Sequence, residues 1–187
     1  MSRTPRIFVH DPLAPGQHLV LEGEAAAHLG RVLRARAGEP VTLFDGSGPE
    51  FDGEIVEATR RSVALAVGSR RDVNRESRLE LVLLQGVCRH ERMDWVVRKA
   101  TELGISAIRP VLAARSVVKL DPAKVAPKIE HWRAIAISAC EQCGRNTLPD
   151  ILPPLPVPAA LSAHPGATGV LLDPEAPGGP ASLDRPQ

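Results

Sequence analysis

The sequence predicts an α+β chain of two domains: a small β-barrel over residues 1–72, then an α/β domain over residues 73–187. Three observations carry this. The first 70 residues break into short β-rich runs bounded by turn residues, the pattern of a small barrel. From residue 78 the rhythm changes to apolar runs alternating with segments of 3.6-residue period, the order of strands and helices over a parallel sheet. Between them lies the polar stretch "SRRDVNRES", residues 69–77, which has the composition of a linker.

Each element follows from its pattern. In the first domain the strands are "RIFV" (6–9), "HLVL" (18–21), "EPVTLFDG" (39–46), "EFDGEIVEAT" (50–59) and "RSVALAVGS" (61–69). "VTLFDGSGPEFDGEIVEA" reads as a hairpin around a Gly/Asp turn. "GEAAAHLGRVL" fits one or two helical turns, with Ala27, Leu29, Val32 and Leu33 near one side. In the second domain "RLELVLLQGV" is apolar almost throughout, as a strand covered on both faces is. "HERMDWVVRKATELG" is a helix: Met93, Val96, Val97, Ala100 and Leu103 share a face, Asp94–Arg98 and Arg98–Glu102 are i,i+4 pairs, and Gly104 is the stop. "ISAIRPVLA" is the next strand. "PAKVAPKIEHWRAIAISACEQC" is the next helix, with Val125, Ile129, Trp132, Ala136, Ala139 and Cys143 inward and Gly144 at its end. A strand near "DIL", a Pro-broken connection, a short helix near "PAALSAH" and a strand "GVLLD" complete the order.

Composition bounds the function. Hydrophobic residues are 43% of the chain and aromatics 3%, so Leu, Val, Ile and Ala must build the core. The net charge of +1 announces no global basic field for nucleic acid. Residues 79–150 hold a modest local excess of positive charge. The opening "MSRTPRIFVHDPLAPG" has no apolar signal core, and no run approaches the ~20 apolar residues of a membrane helix. With three cysteines, this points to a reducing cytoplasm and against a disulfide framework.

"SACEQCGRNTLP" sets Cys140 and Cys143 at the spacing used by zinc sites and redox dithiols. Zinc needs four ligands, and the remaining cysteine, Cys88, stands alone on a strand. A redox thiol favours a helix N-terminus, whereas this pair ends a helix, where the dipole opposes a thiolate. A metal or redox protein is therefore a competing reading, with packing as the alternative. Glu141, Gln142 and Arg145 cluster at the same helix end beside a turn, and loops at one edge of an α/β sheet carry its site. Capping and surface charge remain the other explanation of that cluster.

The chain resembles the bacterial 16S ribosomal RNA uracil-N3 methyltransferases, the small subunit methyltransferase E family of the knotted SPOUT class. The resemblance rests on "RIFV", "HLGRVLRARAGEPVTLFDGSG", "RMDWVVRKATELGISAIRPVLAARSVVK" and "KIEHWRAIAISACEQCGRNTLPDI", which run in family order. It implies an N-terminal PUA-like barrel that seats RNA, and an α/β SPOUT domain that binds S-adenosyl-L-methionine in a trefoil knot and forms a homodimer. It implies methylation of uridine N3 in 16S ribosomal RNA. The family's cofactor motifs, a Gly-Pro-Glu-Gly-Gly loop and a late Leu-Gly and Arg-rich turn, have no counterpart before Gln187; "DPEAPGG" at 173–179 reads as the end of a strand. The expectation is an α/β domain lacking its last elements, with cofactor-binding residues beyond Gln187 and an apolar sheet face left uncovered.

Uracil N3 is protonated at neutral pH, so transfer requires a base or donors that stabilise the anion over O2 and O4. On the resemblance, Glu141 is the candidate base, Arg145 the anion stabiliser and Gln142 the holder of a uracil edge. Lys99 and Glu102 form a supporting ion pair. Arg6, His28, Arg31, Arg34, Arg92 and Arg115 are candidate RNA phosphate contacts. Two alternatives stand beside the enzyme: a catalytically incomplete RNA-binding chain, and the metal or redox protein on Cys140 and Cys143.

Overall fold

The computed structural model describes residues 4–23, 26, 36–59, 61–89, 91–114, 120–173 and 175. The first sheet has five strands, β1 (Arg6–Phe8), β2 (His18–Glu22), β3 (Pro40–Phe44), β4 (Glu50–Ala58) and β5 (Ser62–Arg71), in the order β1-β3-β4-β5-β2. Only β1 and β3 pair parallel; the other pairings are antiparallel. Val63, Leu65 and Val67 of β5 alternate inward, as a half-buried strand requires. The β4–β5 register shifts between Phe51 and Gly53 and again between Ile55 and Glu57. Such irregularities increase local twist, and they curl this sheet around a core that includes Ile7, Val41, Leu43, Ile55, Val63 and Leu65. Burying each of these side chains is worth about 1.5–3 kcal/mol. The β3–β4 turn is held by Asp45, whose Oδ1 accepts from Ser47 N at 3.0 Å and Ser47 Oγ at 2.6 Å. The expected helical turns after residue 23 lie mostly outside the described residues; Ala26 is fully buried in this core.

The second sheet is parallel throughout. β6 (Val82–Gly86) pairs with β7 (Ala107–Leu112), and the other side of β7 takes β8 (Asp150–Ile151) and then β9 (Leu155–Pro156). Helix α1 (Glu91–Glu102) joins β6 to β7. Helix α2 (Val125–Cys143) joins β7 to β8 after a 3-10 turn over Pro122–Lys124, which Asp121 caps by accepting from Ala123 N at 3.0 Å. A short α3 (Val157–Ser162) follows β9. Met93 and Val97 of α1 meet Trp132 and Ala136 of α2 over Ile108 of β7.

Several details depart from the sequence reading. Leu103 is 84% exposed, because α1 stops at Glu102 and the chain turns through Gly104 at φ 92°. Thr101 takes the buried place and donates its hydroxyl to Val97 O at 2.8 Å. The expected i,i+4 pairs give way to Asp94–His131 at 3.0 Å, across the α1–α2 contact, and Lys99–Glu102 at 2.7 Å. Along α2 the buried row is Trp132, Ala136, Ala139 and Cys140, while Val125, Ile129 and Cys143 are half-buried. The expected strand at 169–173 is irregular, and Val170, Leu171 and Leu172 are exposed. An apolar run becomes a strand only where a sheet edge accepts its backbone groups, and these residues make no ladder pairing among the described residues.

Candidate functional site

Helix α2 ends at Gly144, whose φ of 94° is left-handed and whose N–H returns to Cys140 O at 2.9 Å. Glycine reaches that conformation without a Cβ clash, and the turn throws Arg145 and Asn146 sideways. Arg145 is 8% exposed. Its Nε donates to Glu76 Oε2 at 2.8 Å, its Nη2 stands 2.6 Å from the same oxygen, and its Nη1 donates to the carbonyls of Thr101 (2.8 Å) and Ile105 (3.0 Å). Asn146 Nδ2 donates to Val73 O at 3.0 Å. Glu141 Oε1 accepts from the backbone N–H of Phe8 at 3.1 Å. Gln142 is exposed.

Facing this helix end is a buried carboxylate that the sequence reading missed. Glu50 is 1% exposed and accepts from Arg6 Nη1 at 2.7 Å and Arg75 Nη1 at 2.8 Å, with Arg71 Nη2 at 3.1 Å. Burial works to raise its pKa; hydrogen bonds and charge from Arg75 and Arg6 outweigh it and hold the carboxyl at about 2. Arg6 also donates through Nη2 to Arg145 O at 3.2 Å and to Asn146 Oδ1, and its guanidinium lies 5.0 Å from the centre of the Phe44 ring. Beneath the ions Phe8, Phe44 and Cys140 pack with Ile137 and Leu148.

This geometry places the candidate residues of the helix end. Arg145 is engaged through every nitrogen inside the protein. Arg6 is 7% exposed, and its two Nη atoms are engaged by Glu50 and the α2 end, so it presents no free guanidinium at the surface. The direction of the sheet makes the same point. In a parallel sheet, connections from helix to strand arrive at the N-terminal edge, and ligands bind at the opposite edge. Residues 144–149 are such an arriving connection, as are Ile105 before β7 and Glu76 before β6. The "EQCGRN" cluster thus occupies the edge away from the expected ligand side. Burial pushes the Cys140 thiol up to about 12, which opposes the thiolate that a redox nucleophile needs. Among the described residues no group of His, Cys, Asp and Glu is arranged to hold a metal ion.

At the C-terminal edge stand Gly86, Val87, Cys88 and Arg89 after β6, exposed Arg92 in the first turn of α1, Ala113 and Ala114 after β7, and the start of α3. Gln85 Nε2 donates to Gly86 O at 2.8 Å, and Cys88 Sγ lies 3.3 Å from the same oxygen, which fixes the first loop. A Cβ at Gly86 would meet nothing within 4 Å, so a ligand has room against the backbone there. Lys99 and Glu102 pair at the far end of α1. His28, Arg31, Arg34 and Arg115 lie outside the described residues. Glu50, Arg75, Glu76 and Asn146 were hidden from sequence reasoning because each partner is distant in the chain; the clustered Arg and Glu within the linker were the available signal.

Comparison with known proteins sets the class first: residues 21–67 match the RNA methyltransferase PUA domain and residues 75–185 the RNA methyltransferase domain. A Neisseria gonorrhoeae ribosomal RNA small subunit methyltransferase E, solved bound to S-adenosyl methionine, is 35% identical with a TM-score of 0.83 over 88% of this chain and 67% of its own. A Legionella pneumophila protein, Lpg2936, solved with SAM bound, is 42% identical with a TM-score of 0.78, covering 83% and 64%. The Bacillus subtilis small subunit methyltransferase E is 33% identical over 71% of this chain and 52% of its own length. The chain belongs to the ribosomal RNA small subunit methyltransferase E family. It spans about half to two-thirds of the length of these relatives.

Proposed function

We propose that the chain carries the RNA-seating domain, residues 1–72, and the adjoining α/β part, residues 73–187, of a cytoplasmic S-adenosyl-L-methionine-dependent enzyme that methylates N3 of one uridine in 16S ribosomal RNA of the small subunit. The observation that carries this is the likeness to the Neisseria protein, which extends over both domains and was solved with the cofactor bound. The SPOUT knot and the homodimer belong to the same proposal and come from family membership.

The residues present fit one wall of a cofactor site: the open backbone at Gly86 and the small Ala113 and Ala114 lie where a parallel sheet binds ligands. Bound there, the cofactor supplies an activated methyl group. The target uridine must leave the stack so that N3 is exposed. The RNA is then oriented by charge on the first domain and by Arg92, whose exposed guanidinium stands in the first turn of α1 at that edge. Removal of the N3 proton falls to a group at the same edge, since Glu141 and Arg145 face the first domain from the opposite one. Positioning the base in line carries much of the rate.

The test is a calorimetric titration of the chain with S-adenosyl-L-methionine, followed by incubation with small-subunit RNA and mass spectrometry of its nucleosides. Saturable cofactor binding and appearance of 3-methyluridine would bear the reading out. Methylation at another atom, or cofactor binding without product on this RNA, overturns the substrate assignment. The exposed Val170, Leu171 and Leu172 favour one second reading, an RNA-binding chain without its own cofactor site. RNA binding without cofactor binding would establish it.

A further inference from the structure

We infer that Glu50 is a positioning residue that locks the RNA-binding sheet and the α/β domain into one rigid body, so that RNA held by the first is presented to the second at a fixed distance. The functional half of this inference rests on the RNA methyltransferase reading; the lock itself rests on geometry alone.

A polar segment such as residues 72–81 is ordinarily a flexible joint, and domains in one chain move unless their contact is extensive. Here the joint is stitched to both sides. Arg75 donates to Glu50 in the first sheet and to Gly144 O at the α2 cap at 3.3 Å. Glu76 receives Arg145 and, at 3.4 Å, the N–H of Thr147. Val73 O receives Asn146. Arg6, from β1, bridges Glu50 to the carbonyl of Arg145. Thr147 makes backbone bridges with Gly46 and Ser47 of the β3–β4 turn.

The Arg6 and Arg75 contacts meet at one carboxylate, Glu50. Guanidiniums from β1, from the end of β5 and from the joint all point at Glu50. A purely apolar contact can slide, because dispersion has little direction. Arg6 and Arg71 belong to the same sheet as Glu50, so the bonds that cross the seam are those of Arg75 and of Arg6 to the α2 end; they are satisfied at one relative orientation, and departure from it strands charge in a medium that solvates it poorly. The positive groups also face the carbonyl end of α2, where the helix dipole favours them. The N-terminal edge of the parallel sheet is thereby fixed against the first domain, and its C-terminal edge stays open.

The experiment uses the full chain and two variants. Glu50→Gln keeps the shape and removes the charge. Arg75→Met removes a half-exposed joint residue and leaves Glu50 its partners within the first sheet, Arg6 and Arg71. In scanning calorimetry the native chain is expected to unfold in one transition and each variant in two. A short oligonucleotide that reaches only the first domain is expected to bind native chain and Arg75→Met equally. A small-subunit RNA fragment long enough to touch both domains is expected to bind Arg75→Met roughly tenfold more weakly, through lost effective concentration. Arg75→Lys should recover part of that loss. A single transition in both variants overturns the lock, and equal losses on short and long RNA overturn the positioning role. If the native chain binds neither RNA, the methyltransferase reading fails, and the calorimetric split decides the lock by itself.

Discussion

Acid is expected to open the seam between the domains by protonating Glu50. The carboxyl is held at about 2 against an ordinary 4.5. The folded value is the lower one, so the stability it contributes is complete above 4.5 and drains away as pH falls from there through about 2. At about 1.4 kcal/mol for each pH unit of displacement, the loss comes to about 3 kcal/mol. Glu50 is 1% exposed, so little of this is screened by solvent. The charges facing it are Arg6, Arg71 and Arg75, with Asp52 on the far side of Arg71. In a chain of this size each kcal/mol moves Tm by about 2–4 °C, so this one group should account for roughly 6–12 °C. The assay is a series of circular dichroism melts from about pH 6 to about pH 2.5 on the native chain and on Glu50→Gln. Glu50→Gln should start lower and decline less across the window, because its amide does not titrate. Parallel declines in the two proteins would refute the reasoning and assign acid sensitivity to other carboxylates.

Two further outcomes test the packing. Cys140 should resist a thiol reagent in the native chain and react at the rate of unfolding, while Cys88 and Cys143, both half-buried, react earlier; rapid native labelling of Cys140, mapped by peptide mass spectrometry, would contradict its burial. Phe44→Ala should cost about 3–5 kcal/mol in denaturant unfolding, since the ring is fully buried against Phe8 and beneath Arg6; a cost below about 1 kcal/mol would mean that the seam closes over the cavity.

Local chemistry made much of the fold legible. Strand alternation in β5, the Asp45 turn, the α1 face around Met93 and Val97, and the stops at Gly104 and Gly144 are all written within a few residues. The "EQCGRN" group was legible as a cluster, while the edge of the sheet on which it lies was not. "EQCGRN" concentrates hydrogen-bonding groups at a helix end, which looks like chemistry in one dimension. Whether that end lies at the ligand edge or the arriving edge depends on strand direction, and whether Arg145 is free depends on Glu76 and Thr101. Glu50 was invisible for a related reason. In "GPEFDGE" it reads as an ordinary strand carboxylate, and nothing local says that arginines from both directions in the chain will meet over it.

The polarity of a parallel sheet gives this arrangement a logic. Helices return to the sheet at its N-terminal edge, so the segments before β6, β7 and β8 gather there: Glu76, Ile105 and the turn after α2. Arg145 binds all of them to one another, and Glu50 binds that knot of loops to the first domain through Arg6 and Arg75. A domain docked on the C-terminal edge would have covered the place where a parallel sheet takes its ligand. Docked at the opposite end, it leaves that place clear, and on the proposed function it adds a surface that seats RNA. On that proposal the cost is distance, because substrate gripped at one end must reach chemistry at the other, and a loose joint would dilute the grip with every added degree of freedom. A charged, geometrically exacting seam answers that problem in a way an apolar one would not, which is a physical reason to find paired arginines where a linker was expected.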